Sequence, residues 1–148
     1  MIIRKFKESD SEEVSKLIHR VFNKFVANTF TKNGAKNWLK YETPLNVAKR
    51  GQKRIIYVAV SGKKIVGMVE SDKNRIKRLF IDGKYQKKGL GKKLFQKMEK
   101  NYIKKAKFIK IYSSVNAVGF YEKMGYKKFG RIRKNKKDIV YQLMKKKM

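Results

Sequence analysis

The sequence has no cysteine, one proline, one histidine, and 11 acidic residues against 41 lysines and arginines, giving a net charge of +30 over 148 residues. The lack of cysteine excludes disulfides, thiolate nucleophiles and thiolate-held metals. One histidine, His19, argues against a histidine-rich metal centre. No apolar run approaches the roughly 20 residues that span a bilayer. The opening MIIRKFKESD also lacks the apolar stretch of a secretion signal. These absences predict a metal-free, cytoplasmic protein with no membrane partner.

Hydrophobic residues make up 41% of the chain and aromatics 12%. That is enough for a packed core in one domain over residues 1–148, burying roughly two-thirds of the unfolded surface. Neither a repeat nor a proline- or serine-rich linker divides the chain. Ile2–Phe6 reads as a strand, and Ser9/Glu12 or Asp10/Glu13 as a capping box. Val14, Leu17, Ile18, Val21, Phe22 and Phe25 then recur at helical spacing, predicting a helix over about 10–26. His19 falls off that stripe and reads as a surface residue. A second helix around Gly34–Tyr41 carries Trp38, with Pro44 following its end.

Strands are predicted at Arg54–Val60 and Lys64–Ser71, joined by Ser61-Gly62-Lys63, and over 75–82 after the turn Asp72-Lys73-Asn74. Leu90, Leu94, Phe95, Met98 and Tyr102 mark one face of a helix. A strand at Lys107–Ser113, a helix at Asn116–Met124 stopped by Gly125, and strands at Tyr126–Ile132 and Asp138–Met144 complete the chain. The order βααβββαβαββ predicts a three-layer α/β fold with a mixed sheet.

The net charge attracts polyanions, whether nucleic acid or an anionic cofactor. The basic residues are mostly lysine and spread along the chain, whereas base and phosphate readers favour arginine forks with interleaved aromatics. A dispersed, solvated lysine surface is the reading favoured over a dedicated polyanion surface.

The most informative segment is Gln86-Lys87-Lys88-Gly89-Leu90-Gly91-Lys92, between the strand at 75–82 and the helix that begins near Leu90. A helix N-terminus leaves amide donors unpaired and carries partial positive charge. Glycines there admit a ligand close to the backbone, and lysines surround the point, so the segment reads as a diphosphate cradle. It matches neither the P-loop nor the dinucleotide fingerprint, because Leu90 and Leu94 stand where those patterns need lysine and glycine. About 25 residues on lies Ser114-Val115-Asn116-Ala117-Val118-Gly119-Phe120-Tyr121-Glu122-Lys123-Met124-Gly125-Tyr126.

Together the Q-x-x-G-x-G turn and the NAVGFYEKMGY segment resemble the two cofactor motifs of the GNAT superfamily of acyl-CoA-dependent N-acetyltransferases. The close match covers about residues 76–126, and the element order is also that of the family. The resemblance implies acetyl-CoA as cosubstrate, bound by Gln86, Lys87, Lys88, Gly89, Leu90, Gly91 and Lys92. The pantetheine arm would lie along Leu79, Phe80 and Ile81, with a strand N–H near Phe80–Ile81 donating to the acetyl oxygen. Tyr121 matches the tyrosine that protonates the leaving thiolate, and Ser114, Asn116 and Phe120 flank it on the cofactor side. Ser114 replaces an asparagine that often bonds the pantetheine arm.

The general base departs from the family pattern. Eleven residues before Gln86, where the family carries glutamate, stands Arg75, which stays protonated. Glu70 is the nearest carboxylate and is expected to act through a water; loss of the amine proton to solvent is the other route. The resemblance also implies an acceptor site between the glycine turn and the first two helices, walled by Phe22, Phe25, Phe30, Trp38 and Tyr41. Glu42, Glu70 and Asp72 are too few to favour a strongly cationic acceptor unless they cluster.

The expected function is N-acetyl transfer from acetyl-CoA to the primary amine of a small molecule or peptide, by a monomer or homodimer. The alternative is a CoA-binding scaffold of the same fold that associates with nucleic acid and has little or no activity.

Overall fold

The computed structural model describes residues 1–101 and 106–148. The strands are β1 Ile2–Lys5, β2 Ile55–Ser61, β3 Lys64–Asp72, β4 Arg75–Ile81, β5 Phe108–Ser113, β6 Lys127–Lys128, β7 Arg133–Lys134 and β8 Val140–Lys147. The α-helices are α1 Ser11–Val21, α2 Lys32–Leu39, α3 Pro44–Lys53, α4 Leu90–Glu99 and α5 Val118–Lys123. The sheet runs β1-β2-β3-β4-β5-β8-β6, with β7 paired to β8. The first four strands are antiparallel neighbours, β4 and β5 are parallel, and β8 runs antiparallel to β5.

Helices cover both faces of the central strands, so β3 carries apolar residues on both sides. Val66 and Val69 pack with Leu94, Phe95 and Met98 of α4, while Ile65 and Met68 pack with Val14, Leu17 and Ile18 of α1. This is the mixed three-layer architecture expected from the sequence.

The structure departs from the sequence reading in local detail. The first helix ends at Val21, and the chain continues as a π-turn over Phe22–Val26 and a 3₁₀ turn over Ala27–Thr29. Pro44 does not merely follow a helix but opens α3 at its first turn, with Thr43 Oγ1 capping the amide of Asn46 at 3.2 Å. Val47 is the only α3 residue fully inside, so this helix gave little apolar periodicity to read. The C-terminal hairpin is broken: β6 and β7 have two residues each, and Gln142 Nε2 donates to the carbonyls of Gly130 and Leu143 at 3.2 and 3.0 Å. The α4 stripe ends within the described residues at Met98, and the predicted stripe residue Tyr102 lies outside them.

One irregularity positions the functional site. In the β3–β4 ladder Glu70 faces Arg78 and Ser71 faces Ile76, so Lys77 is an extra residue on β4. Such a bulge bends and twists its strand. On the other side, β4 pairs with β5 only at Arg75 and Ile76. Beyond the bulge the two strands part.

Candidate acyl-transfer site

The parted strands frame a cavity of about 270 Å³. Lys77, Leu79 and Phe80 line it from β4, Tyr112, Ser114 and Tyr121 from the opposite side, and Phe22, Phe30 and Trp38 from the helical side. These three aromatics form one block, with Phe22 stacked on Trp38 at 4.5 Å and edge-on to Phe30 at 5.3 Å. Asn135, Ile139, Val140 and Tyr141 complete the wall from the C-terminal hairpin. That hairpin is tied to α2: Asn33 Nδ2 donates to Asp138 Oδ2 at 2.9 Å, and Asn37 Nδ2 to the Lys137 carbonyl at 3.1 Å. Gly34 is needed at this contact, because a Cβ there would lie 2.0 Å from the Asp138 carbonyl oxygen.

The glycine turn leads from the end of β4 into α4. Gly89 is the helix N-cap, with φ +82°, a left-handed conformation that favours glycine. The first helical bond runs from Lys93 N–H to the Gly89 carbonyl at 3.1 Å, which leaves the amides of Leu90, Gly91 and Lys92 without helical acceptors. A Cβ on Gly89 would meet no protein atom within 4 Å, so the space before it is open. Lys87, Lys88 and Lys92 are exposed around it. The Gln86 side chain turns inward instead, donating to the Ile81 carbonyl at 2.9 Å and bracing the turn against β4. Leu90 points into the core, so only its backbone faces the cradle.

Tyr121 is 6% exposed, its ring held by Phe95, Phe120 and Tyr126. Burial pushes its phenol pKa well above the ordinary value, so the hydroxyl keeps its proton. Phe120 packs on the glycine turn, 3.4 Å from where a Gly91 Cβ would stand. Ser114 Oγ donates to Asn116 Oδ1 at 2.8 Å, while Asn116 Nδ2 donates to the Phe25 carbonyl. The Asn116 side chain therefore links the start of α5 to the π-turn.

Glu70 is fully buried and held by three arginines: Arg50 Nε at 3.1 Å, Arg54 at 2.6 Å and Arg78 at 2.9 Å. Burial alone would raise its pKa, but the guanidinium charges and hydrogen bonds outweigh this and lower it. A carboxylate so saturated has poor proton affinity and no place among the groups lining the cavity. This corrects the expectation that Glu70 serves as a base. Glu42, also fully buried, joins the network through Arg50 and Arg78 at 2.9 Å each. Two further residues miss the cavity. Phe25 packs over Gly83, and Tyr41 is 41% exposed with its hydroxyl 2.9 Å from Lys137 Nζ.

The sequence model of one family, described as an acetyltransferase (GNAT) domain, matches residues 26–148. The chain belongs to the GNAT acetyltransferase family. Its fold is similar to that of a GCN5-related N-acetyltransferase from Rhodopseudomonas palustris, at 17% identity, 99% coverage of this chain, 95% of the other and a TM-score of 0.88. It is also similar to the PaiA N-acetyltransferase of Thermoplasma acidophilum in complex with coenzyme A, at 19% identity, 99% and 98% coverage and a TM-score of 0.81. An aminoglycoside 6'-N-acetyltransferase complexed with coenzyme A aligns at 18% identity over 99% and 97% of the two chains, with a TM-score of 0.69.

In this GNAT chain the sequence reading missed Lys77, Arg78, Tyr112, Tyr141 and the hairpin residues as cavity walls. Lys77 is half-buried, and its pKa falls to about 8, first through burial and then through the charges of Arg75, Arg54 and Arg78. The available signal was a lysine inside a strand otherwise assigned to the cofactor.

Proposed function

We propose that this chain transfers an acetyl group from acetyl-CoA directly to a primary amine borne on an apolar or aromatic body. The observation that carries the reading is the cleft opened at Lys77, with a buried tyrosine hydroxyl at one wall and the free amides of α4 at the end of the same strand. The α4 amides and Lys87, Lys88 and Lys92 fit a diphosphate. The β4 edge past Ile76 lacks its β5 partner, so the backbone groups of Leu79 and Phe80 suit the amides of a pantetheine arm. Acetyl-CoA supplies an activated acyl group as a thioester.

Acyl transfer requires a neutral amine, a proton acceptor and a donor for the departing thiolate. Lys77, whose pKa is about 8, is half-buried at the cleft and is neutral in a substantial fraction near that pH. It accepts the acceptor's ammonium proton, taking the role that Glu70 cannot fill. The acceptor nitrogen forms the C–N bond, the C–S bond breaks and Tyr121 gives its phenolic proton to sulfur. The second proton that the nitrogen sheds as the amide forms returns to the Tyr121 phenolate, and Lys77 passes its proton to solvent. Desolvation raises the pKa of a thiolate in the cleft as it does that of Tyr121, which keeps the transfer feasible.

The walls also restrict the acceptor. Phe22, Phe30, Trp38, Phe80 and Tyr141 present apolar surface, Arg78 is already paired with Glu42 and Glu70, and no carboxylate lines the cavity among the described residues. A polycation gains nothing there. Thiol release from acetyl-CoA, measured with aromatic monoamines, aminoacyl amides, polyamines and an aminoglycoside, tests both parts. Aromatic monoamines are expected to exceed polyamines in kcat/KM by about tenfold or more, for a 1.4 kcal/mol difference. A preference for polyamines would overturn the acceptor assignment, and no release with any primary amine would overturn the activity.

A further inference from the structure

We infer that the sheet face of β5, β8 and β6 turned away from α4 binds single-stranded nucleic acid. Strand alternation divides the charges of this region cleanly. On β8, Lys146 turns toward α4 and pairs with Glu99 at 3.1 Å. Its neighbours Lys145 and Lys147 turn the other way and have no ion pair among the described residues. Ile109 and Ile111 of β5 are likewise buried toward α4, while Phe108 and Tyr112 are exposed.

Cross-strand register brings the outward cations into one row: Arg75 faces Lys110, Lys110 faces Lys145, and Lys145 faces Lys127. Like charges directly opposite one another destabilise a sheet, and a polyanion laid across the row removes that cost. Aromatic rings interleave with these cations. Lys145 Nζ sits 4.2 Å from the Phe129 ring centroid and 5.4 Å from that of Phe108, and Arg75 lies 4.5 Å from that of Tyr112. Phe108, Tyr112 and Phe129 are 36%, 41% and 47% exposed. A shallow groove of about 530 Å³ runs beside Phe108, Phe129 and Lys145.

The partly exposed Phe108 and Phe129 rings, with lysine ammonium groups that have no ion pair among the described residues, match a single strand, which offers both phosphates and free bases for stacking. A duplex offers phosphates but no base faces, and a second copy of a chain at +30 is repelled. The diffuse surface that the lysine bias suggested in the sequence therefore does not describe this face, where the fold collects lysines and aromatic rings into one cluster.

Fluorescence anisotropy with labelled dT12 and U12, a 12-base-pair duplex and anionic phospholipid vesicles, at two salt concentrations, tests the inference. The single strands are expected to bind at least tenfold more tightly than the duplex. The double variant Phe108→Leu/Phe129→Leu keeps apolar volume but removes both rings. It is expected to lose tenfold or more toward dT12 with its duplex affinity unchanged. Lys110→Gln/Lys145→Gln is expected to flatten the slope of log K against log salt by roughly 1.4. Neither phenylalanine lines the acyl-transfer cleft, so thiol release by the ring variant stays at the wild-type level whether or not the proposed amine acceptor is right. Equal affinity for single strands and duplex, or ring variants that bind dT12 as wild type, would overturn the inference. So would vesicle binding that depends on the rings while dT12 binding does not.

Discussion

Lys77 and Glu70 lie on adjacent strands, and each has lost the proton behaviour its type suggests. Three guanidiniums hold the Glu70 carboxylate in its charged form, whereas burial and neighbouring cations push Lys77 toward its neutral form. For Lys77 as base, kcat should rise with pH through about 8 and level off above it, because only the neutral amine accepts a proton. Lys77→Met is expected to remove that limb, while Tyr121→Phe lowers kcat by about 10²-fold with little change in acetyl-CoA affinity and keeps the limb. Rate profiles from pH 6 to 10, read for both variants, check this. A Lys77→Met enzyme with the wild-type limb would assign deprotonation to solvent. The Tyr121 motif could be read from the chain, but the burial and pairing of Glu70 could not, since nothing in the linear sequence puts three arginines around it.

At the scale of elements, the site is a strand, a turn and a helix start joined at two irregular points. The turn was legible because Gly89 and Gly91 with flanking lysines leave a mark in composition. The bulge at Lys77 was not, since it follows from how β3 and β4 register. Gly89→Val puts a branched side chain at φ +82°, a strain of about 1–2 kcal/mol, and directs it into the open space before the α4 amides. Calorimetry is expected to show CoA affinity reduced by about tenfold or more, with the protein still folded by circular dichroism. Unchanged affinity would remove the turn from the site. Pro44 shows the limit of reading punctuation: proline suits both the gap after a helix and the first turn of the next, and only the fold decides.

Across the whole molecule, the Glu42–Glu70–Arg50–Arg54–Arg78 network fastens α3 to β3 and β4 beneath the site. Glu70→Gln would leave guanidinium charge buried without its partner, a loss of about 3–5 kcal/mol, visible in urea unfolding at neutral pH. The sign of the pH dependence follows from the lowered pKa of Glu70. Its contribution is fully present above the ordinary carboxylate value of 4.5 and is lost as pH falls through the lower folded value. Wild type should therefore lose stability more steeply than Glu70→Gln between about pH 5 and 3. Equal slopes would mean the network is held by other groups.

The sequence by itself determined the layered α/β class, the position of the glycine turn and the exclusion of cysteine chemistry, because periodicity and composition are properties of the linear chain; Tyr121 was singled out by resemblance to a known family. The tertiary structure decided which charges meet. It closed three arginines around Glu70, brought Lys77 and the C-terminal hairpin into the cleft, and gathered lysines far apart in the chain into one row with Phe108 and Phe129. Those outcomes depend on strand register and a single bulged residue, and both are set by long-range pairing.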